Sequence, residues 1–244
     1  MKIKLISLGI GKGASYVLKG IASTAFTLQV DEQPFMLIDS GAGVTLAYQN
    51  YIGLKFPPHI YISHNHMDHT GDLPILLSVF PQISGIKPNV IGNRDVLEIV
   101  KKHRLSELVA DGTDLNSLAI WVRADSQGSV DLGKDLSLQL FKSKHSYDCY
   151  GFVLKRMEHP IFGYTADSGF DENIYRMVSQ TGSAIVDGRE KGNDEHASFD
   201  EISNFACKYP DCKYWVTHYE ETEYIFSNPN VQFWKPGSIL EFQY

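Results

Sequence analysis

Four side chains suited to holding a metal, His64, His66, Asp68 and His69, fall within six residues in the stretch HIYISHNHMDHTGDL, residues 59–73. Imidazole and carboxylate suit zinc, and also manganese or iron. Four ligands this close cannot all serve one ion without strain, because neighbouring side chains point in different directions. Alternate residues His64 and His66 can share one ion and leave Asp68 and His69 to a second. Such a two-metal site activates water for hydrolysis, and it needs further ligands from elsewhere in the chain.

The surrounding elements must aim this cluster. Ile60, Tyr61 and Ile62 lead in as a short buried strand, and Gly71 and Pro74 follow, so the ligands sit on the loop where that strand stops. A strand end is a rigid place from which to direct side chains. Upstream, residues 3–8, 25–30 and 35–38 read as strands. The glycines of LGIGKG (residues 8–13) lack the third glycine of a dinucleotide fingerprint and the Lys-Ser/Thr of a phosphate loop, so that stretch reads as a turn or a substrate-side loop. Downstream, residues 73–80 read as a helix bracketed by Pro74 and Pro81, and 89–92 as a strand. Residues 94–108 carry a helical apolar face through Val96, Leu97, Ile99, Val100, Leu105 and Leu108. Strands follow at 118–123, 136–142, 184–186, 214–217 and 239–242, with helices at 173–180 and from about Ser198. His103, beside Lys101, Lys102 and Arg104, reads as a surface histidine, and so do His59 and His159.

With 244 residues and 43% hydrophobic content the chain can bury a substantial core as one domain over residues 1–244. No low-complexity run or long Pro/Gly/Ser linker divides it. The apolar patch at the N-terminus is short and broken by glycines, unlike a signal peptide or membrane anchor. Three cysteines, Cys149, Cys207 and Cys212, without zinc-knuckle spacing, read as reduced thiols of a cytoplasmic protein. The net charge of −7, from 22 basic and 29 acidic residues, argues against a broad nucleic-acid-binding face. An acidic body around a cationic metal pocket suits a small anion better than a long RNA.

The HxHxDH pattern from His64 to His69 resembles the metallo-β-lactamase superfamily, and the resemblance implies five metal-site segments in a fixed order. MLIDSGAG (residues 36–43) is similar to the first, which implies that Asp39 supports the metal loop from behind. In SKHSYDCYGFVLK (residues 143–155), His145 takes the place of the histidine that completes the first ion's imidazole set. PIFGYTADSGF (residues 160–170) presents Asp167 as the carboxylate that bridges both ions, and WVTHYE (residues 215–220) presents His218 as the last ligand of the second ion. An Asp rather than a thiol at the bridging position points to the phosphodiesterase, glyoxalase and lactonase branches. His196-Ala-Ser resembles the His-Ser-Thr element of tRNase Z-like phosphodiesterases, in which the histidine serves the scissile phosphate. Its acidic partner is here Asp187 or Glu190.

The resemblance implies an α/β fold, an αββα sandwich of two β-sheets packed face to face with helices outside. It also implies two divalent ions, zinc first and manganese as the alternative, and a homodimer. Only residues 146–166 separate His145 from Asp167, which leaves no room for the tRNA-gripping arm of bacterial tRNase Z. The pattern looks most like small arm-less phosphodiesterases, including cyclic-phosphate hydrolases and the phage anti-Pycsar enzymes that destroy cyclic nucleotide signals. The expected activity is therefore hydrolysis of small phosphodiesters, 3′,5′-cyclic nucleotides above all, with Asp68 orienting the attacking water and His196 protonating the leaving oxygen. No membrane or large nucleic-acid partner is expected. The alternatives are an RNA-processing endonuclease and a thioesterase or lactonase of the same fold.

Overall fold

Strands covered on both faces read as unbroken apolar runs, whereas edge strands alternate. Both kinds occur in the computed structural model, which describes residues 1–243 and falls into two compact units. The first unit comprises residues 1–123 and the C-terminal residues from Lys235. Its strands are β1 (Lys2–Gly9), β2 (Ala25–Val30), β3 (Gln33–Ile38), β4 (His59–Tyr61), β5 (Asn89–Asn93) and β6 (Ile120–Ala124), joined by the last strand of the chain, β14 (Ile239–Gln243). The sheet order is β14-β1-β2-β3-β4-β5-β6. Pairing is antiparallel from β14 to β3 and parallel from β3 to β5. Parallel neighbours need crossovers. Helix α1 (Val44–Tyr51) supplies one, and α2 (Met67–Thr70) with α3 (Leu73–Ser84) supplies the next. Helices α4 (Arg94–His103), α5 (Ser106–Ala110) and α6 (Leu115–Leu118) precede β6. Met36, Leu37, Ile38, Ile60, Tyr61 and Ile62 are fully buried, which fixes the two central strands from which the ligand loops depart.

The second unit, residues 124–234, repeats this plan. Its strands are β7 (Ser129–Gly133), β8 (Leu136–Lys142), β9 (Tyr150–Arg156), β10 (His159–Tyr164), β11 (Ser183–Asp187), β12 (Lys213–Thr217) and β13 (Val231–Phe233), in the order β13-β12-β11-β10-β9-β8-β7. Pairing is antiparallel from β7 to β10 and parallel from β10 to β13. Helix α7 (Glu172–Ser179) crosses from β10 to β11, and α8 (Phe199–Ala206) from β11 to β12. Ser198 opens α8 with a capping box to Glu201, as its position predicts. In both units the parallel strands deliver their carboxyl ends to loops, the usual place for function in such sheets.

Four departures from the sequence reading have local causes. The helix expected over 94–108 is broken after His103: the backbone leaves helical geometry at Leu105 (φ −107°, ψ 15°), and Arg104 just before it donates to Thr70 Oγ1 and the Asn65 carbonyl, at 2.8 and 2.6 Å. Helix α3 runs through Pro81 to a left-handed Gly85 (φ 67°), held by buried Leu76, Leu77 and Phe80 against the loss of one backbone bond. Residues 115–118 are a short helix rather than the start of β6. His59 is buried, its Nδ1 3.2 Å from Asn89 Nδ2 and its ring edge-on to Phe35, whereas His103 and His159 are exposed as expected. Strands β9 and β10, with a tight turn between them, fill residues 146–166 almost completely. No disulfide joins Cys207 to Cys212, and among the described residues no helix is long and apolar enough to cross a membrane.

Gly41 follows β3 where a Cβ would overlap the Asp68 carbonyl. Gly41→Ala is therefore expected to lower stability by about 1–3 kcal/mol, the usual cost of overpacking, and to lower metal content with it. A variant with unchanged melting temperature and full metal content would show that this close approach does not hold the ligand loop.

Candidate metal centre

The donors of the first unit hang from the ends of β3 and β4. After Tyr61 the chain keeps one more ladder bond, Ile62 N–H to the Ile91 carbonyl at 2.9 Å, then turns through Ser63 into α2. His64 and His66 thus lie on the loop, while Asp68 and His69 ride on the first turn of the short helix. Asp39, one residue past β3, is fully buried and adopts φ 59°. Its Oδ1 accepts from Ser63 N–H at 2.8 Å, and its Oδ2 accepts from Ser63 Oγ at 2.8 Å and from His69 Nδ1 at 2.9 Å.

This network sets the imidazole tautomers. His69 donates through Nδ1 and keeps its Nε2 lone pair for a metal. Ser63 gives its one hydroxyl proton to Asp39, so His64 Nδ1, 3.0 Å away, donates to Ser63 Oγ and also keeps its Nε2 lone pair. The His64 ring centroid lies 4.6 Å from that of His66 and 4.2 Å from that of His69, and Asp68 Oδ2 is 3.8 Å from His69 Nε2. The four motif residues therefore converge, and Asp39 backs them as the first motif implies. Arg104, which the sequence reading passed over, ties the same loop down from the end of α4.

In the second unit the donors follow β8, β10, β11 and β12. The His145 loop is stapled to the Asp167 loop by Ser143 Oγ to the Thr165 carbonyl (2.5 Å), Gly169 N–H to the Lys144 carbonyl (2.8 Å) and Lys144 N–H to Ser168 Oγ (3.1 Å). Asp167, Asp187, His196 and His218 each offer a donor atom, and these atoms all lie within 4.8 Å of one another. His145 and His196 have ring centroids 5.9 Å apart.

Asp187 is the hub of that cluster. Its Oδ2 lies 2.6 Å from His196 Nδ1 and accepts from Ser168 N–H at 3.0 Å, while its Oδ1 lies 3.2 Å from His218 Nδ1. The partner of His196 is thus Asp187. Glu190 instead accepts from Thr222 Oγ1 at 2.9 Å. Burial pushes the Asp187 carboxyl up, but hydrogen bonds from His196 and His218 outweigh burial and hold it below the ordinary carboxylate range. His218 Nδ1 also lies 3.1 Å from Asp167 Oδ1. Ala166 (φ 52°) and His218 (φ 59°) hold left-handed backbone at these strand ends. Imidazoles with oriented tautomers and carboxylates at this spacing fit divalent metal ions.

The family model described as "Anti-Pycsar protein Apyc1" matches residues 3–237. The chain belongs to this family. Its similarity to the curated Ribonuclease Z of Treponema pallidum (strain Nichols) is 26% identity over 163 residues, covering 66% of this chain and 51% of that protein. The chain thus spans about half the length of the curated relatives it matches. Among solved structures, the metallo-β-lactamase fold protein YhfI from Bacillus subtilis matches with a TM-score of 0.77 at 18% identity, over 98% of this chain and 99% of YhfI. A diphosphatase of the PhnP family gives 0.78 at 19% identity, over 99% of this chain and 98% of that one. The fold is the metallo-β-lactamase fold, with two mixed sheets and flanking helices.

For the anti-Pycsar family chain, removing the Asp39 carboxylate by Asp39→Ala is expected to weaken metal binding about 10–100-fold. Titration with a competing chelator checks this, and an unchanged affinity would mean that Asp39 only braces the backbone.

Proposed function

We propose that the chain opens 3′,5′-cyclic nucleotides to nucleoside monophosphates. In this reading His64, His66 and His145 would hold one ion and Asp68, His69 and His218 the other, with Asp167 as the carboxylate that would be shared between them. Zinc is the metal of this reading and manganese the alternative. When bound, the ions supply a water acidified to near neutrality and positive charge for a phosphate oxygen. Asp68 orients the attacking water. His196, aimed by Asp187, gives a proton to the departing ribose oxygen as negative charge builds there.

The observation that carries this reading is the 2.6 Å contact between Asp187 and His196, beside His218. A carboxylate-oriented imidazole suits an alkoxide leaving group, which a thioesterase, expelling a thiolate that departs readily, does not need. A lactonase also expels an alkoxide, and against it stands the family match rather than this contact. The similarity to Ribonuclease Z favours RNA processing as a second reading. Against it, β9 and β10 occupy the span where an arm would insert, and the net charge of −7 gives little long-range attraction for a polyanion. Action in the cytoplasm goes with the proposal, since the thiols of Cys207 and Cys212 suit a reducing compartment.

On a panel of cyclic mononucleotides, linear dinucleotides, precursor tRNA and a thioester, turnover of 3′,5′-cyclic nucleotides should exceed that of precursor tRNA by at least about tenfold. It should depend weakly on salt, because one phosphate releases few counterions. His196→Ala should keep its metals and lose about 10²–10⁴-fold in turnover. Efficient, strongly salt-sensitive tRNA cleavage with cyclic nucleotides untouched would return the chain to RNA processing.

The reading includes a homodimer. Helix α3 buries Leu73, Leu76, Leu77 and Phe80, yet Ile75, Val79 and Ile83 on its other side remain about half exposed. Their spacing of four lines them up along the helix, and a helix apolar on both sides calls for a second partner. Sedimentation should find a dimer for the wild type and a monomer for Ile75→Glu with Ile83→Glu. A fully active wild-type monomer would defeat this part of the proposal.

A further inference from the structure

The loop after β11 carries a cation that no motif accounts for. Gly188 brings the chain in close, since a Cβ there would lie 2.6 Å from Val216 Cγ1 and 2.9 Å from Ile202 Cδ1. Arg189 comes next, and its backbone is bridged to the residues just after His196. Its N–H donates to the Ala197 carbonyl and its carbonyl accepts from Phe199 N–H, both at 2.8 Å. The backbone that carries the guanidinium is thus fixed to the segment just after His196 and to the start of α8. Its Nη2 lies 3.4 Å from His196 Nε2 and 3.4 Å from His218 Nδ1. Its Nε is buried and has no hydrogen-bond partner among the described residues.

This is an unusual situation for an arginine. A guanidinium presents five N–H donors in a planar fork, and when partly buried it is normally matched by a carboxylate or a phosphate. Here the nearby carboxylate of Asp187 is already engaged by His196, His218 and Ser168 N–H. What faces Arg189 is His196 Nε2, a long and weak acceptor, and His218 Nδ1, whose proton is directed at the carboxylates and which therefore cannot accept. A partly buried cation without an anion is costly unless an anion arrives.

We propose that Arg189 is an anion clamp, a binding residue whose guanidinium takes an oxygen of the phosphate that His196 serves. The shared chemistry is a phosphate oxyanion, either a non-bridging oxygen of a phosphodiester substrate or an oxygen of the phosphomonoester product. Fork geometry explains why an arginine stands there, since two parallel N–H groups can hold two oxygens of one phosphate. The inference rests on the phosphodiesterase reading only in naming the anion as phosphate.

The test titrates inorganic phosphate into the metal-loaded full chain, for the wild type, Arg189→Met and Arg189→Lys. Metal content and melting temperature are measured on each sample. Arg189→Met should weaken phosphate binding by on the order of tenfold or more with metal content unchanged, the loss expected of a charge-assisted contact. Arg189→Lys, which keeps the charge and loses the fork, should fall between the two. Should Arg189→Met fail to fold, the lysine variant decides alone, and its phosphate affinity must drop. Steady-state kinetics on bis(p-nitrophenyl) phosphate separates the sources. A fall in kcat/KM places the clamp on the diester, and a fall in product inhibition alone places it on the product. Unchanged phosphate affinity in the variants would overturn the proposal, and so would loss of metal in Arg189→Lys, which would make Arg189 a support for His218. Phosphate binding is read without turnover. A chain that binds phosphate through Arg189 yet leaves cyclic nucleotides intact would keep the clamp and remove the proposed substrate.

Discussion

A buried carboxylate is tolerated where hydrogen bonds replace the water it has lost, and Asp39 and Asp187 meet that condition with the imidazoles of the candidate site itself. Asp39 is satisfied by Ser63 N–H, Ser63 Oγ and His69 Nδ1, and Asp187 by Ser168 N–H, His196 Nδ1 and His218 Nδ1. The same bonds that make burial acceptable choose the tautomer and the direction of each ring. Stability and chemistry are therefore coupled at these two residues. Disturbing either carboxylate leaves a buried imbalance as well as a misaimed ligand.

Backbone strain falls in the same places. Among the described residues, eight that are not glycine have positive φ. Five of them, Asp31, Glu32, Lys134, Asp135 and Met157, lie in the hairpin turns β2–β3, β7–β8 and β9–β10, where mirror-image turns require that conformation. The other three are Asp39, Ala166 and His218, each one or two residues past a strand that has a parallel neighbour. Such positions cost on the order of 1–3 kcal/mol each. They persist because the ladder on either side is complete: Asp39 N–H still bonds the Tyr61 carbonyl at 2.9 Å, Thr165 N–H the Ile185 carbonyl at 3.0 Å, and Gly188 N–H the Thr217 carbonyl at 3.2 Å. The left-handed residue lets the chain leave the sheet abruptly, so that a side chain is presented at the strand end instead of being carried into the next helix.

What was legible in the sequence was whatever depends on short-range pattern. HxHxDH is local, and the buried run before it marks the strand end, so the whole first-unit cluster could be read from one stretch. Strands such as β2 and β8 fell within their expected bounds because they are apolar or alternate cleanly, whereas β13 and α1 lack a strong period and β7 alternates over only two buried residues, Val130 and Leu132. The partner of His196 stayed open because Asp187 and Glu190 are three residues apart, and only the last residue of β11 decides which of them points inward. Arg104 looked like part of a continuing helix, and its side-chain bonds reach back to Asn65 and Thr70, far away in sequence. Arg189 gave no signal at all. Its role follows from a glycine that lets the backbone in and from a bridge to Ser198, neither of which is visible in composition or spacing.

The two units repeat one order of strand pairing yet supply different donors, and that difference bears on why metal is needed. The first unit gathers three imidazoles with Asp68, all near one buried carboxylate. The second gathers two carboxylates around a single imidazole nitrogen, with Asp167 Oδ1 and Asp187 Oδ1 at 3.1 and 3.2 Å from His218 Nδ1. One N–H cannot serve two carboxylates fully, and each raises the other's affinity for a proton. Arg189 relieves little of this at 3.4 Å from the ring, because it reaches the imidazole and not the acids. A divalent ion does what a shared proton cannot, since it binds several donors at once and carries twice the charge. Metal uptake by such a cluster would release protons and end the competition between the acids. On the proposed ligand set, Asp187 would then be left to orient His196, and Asp167 to ligate.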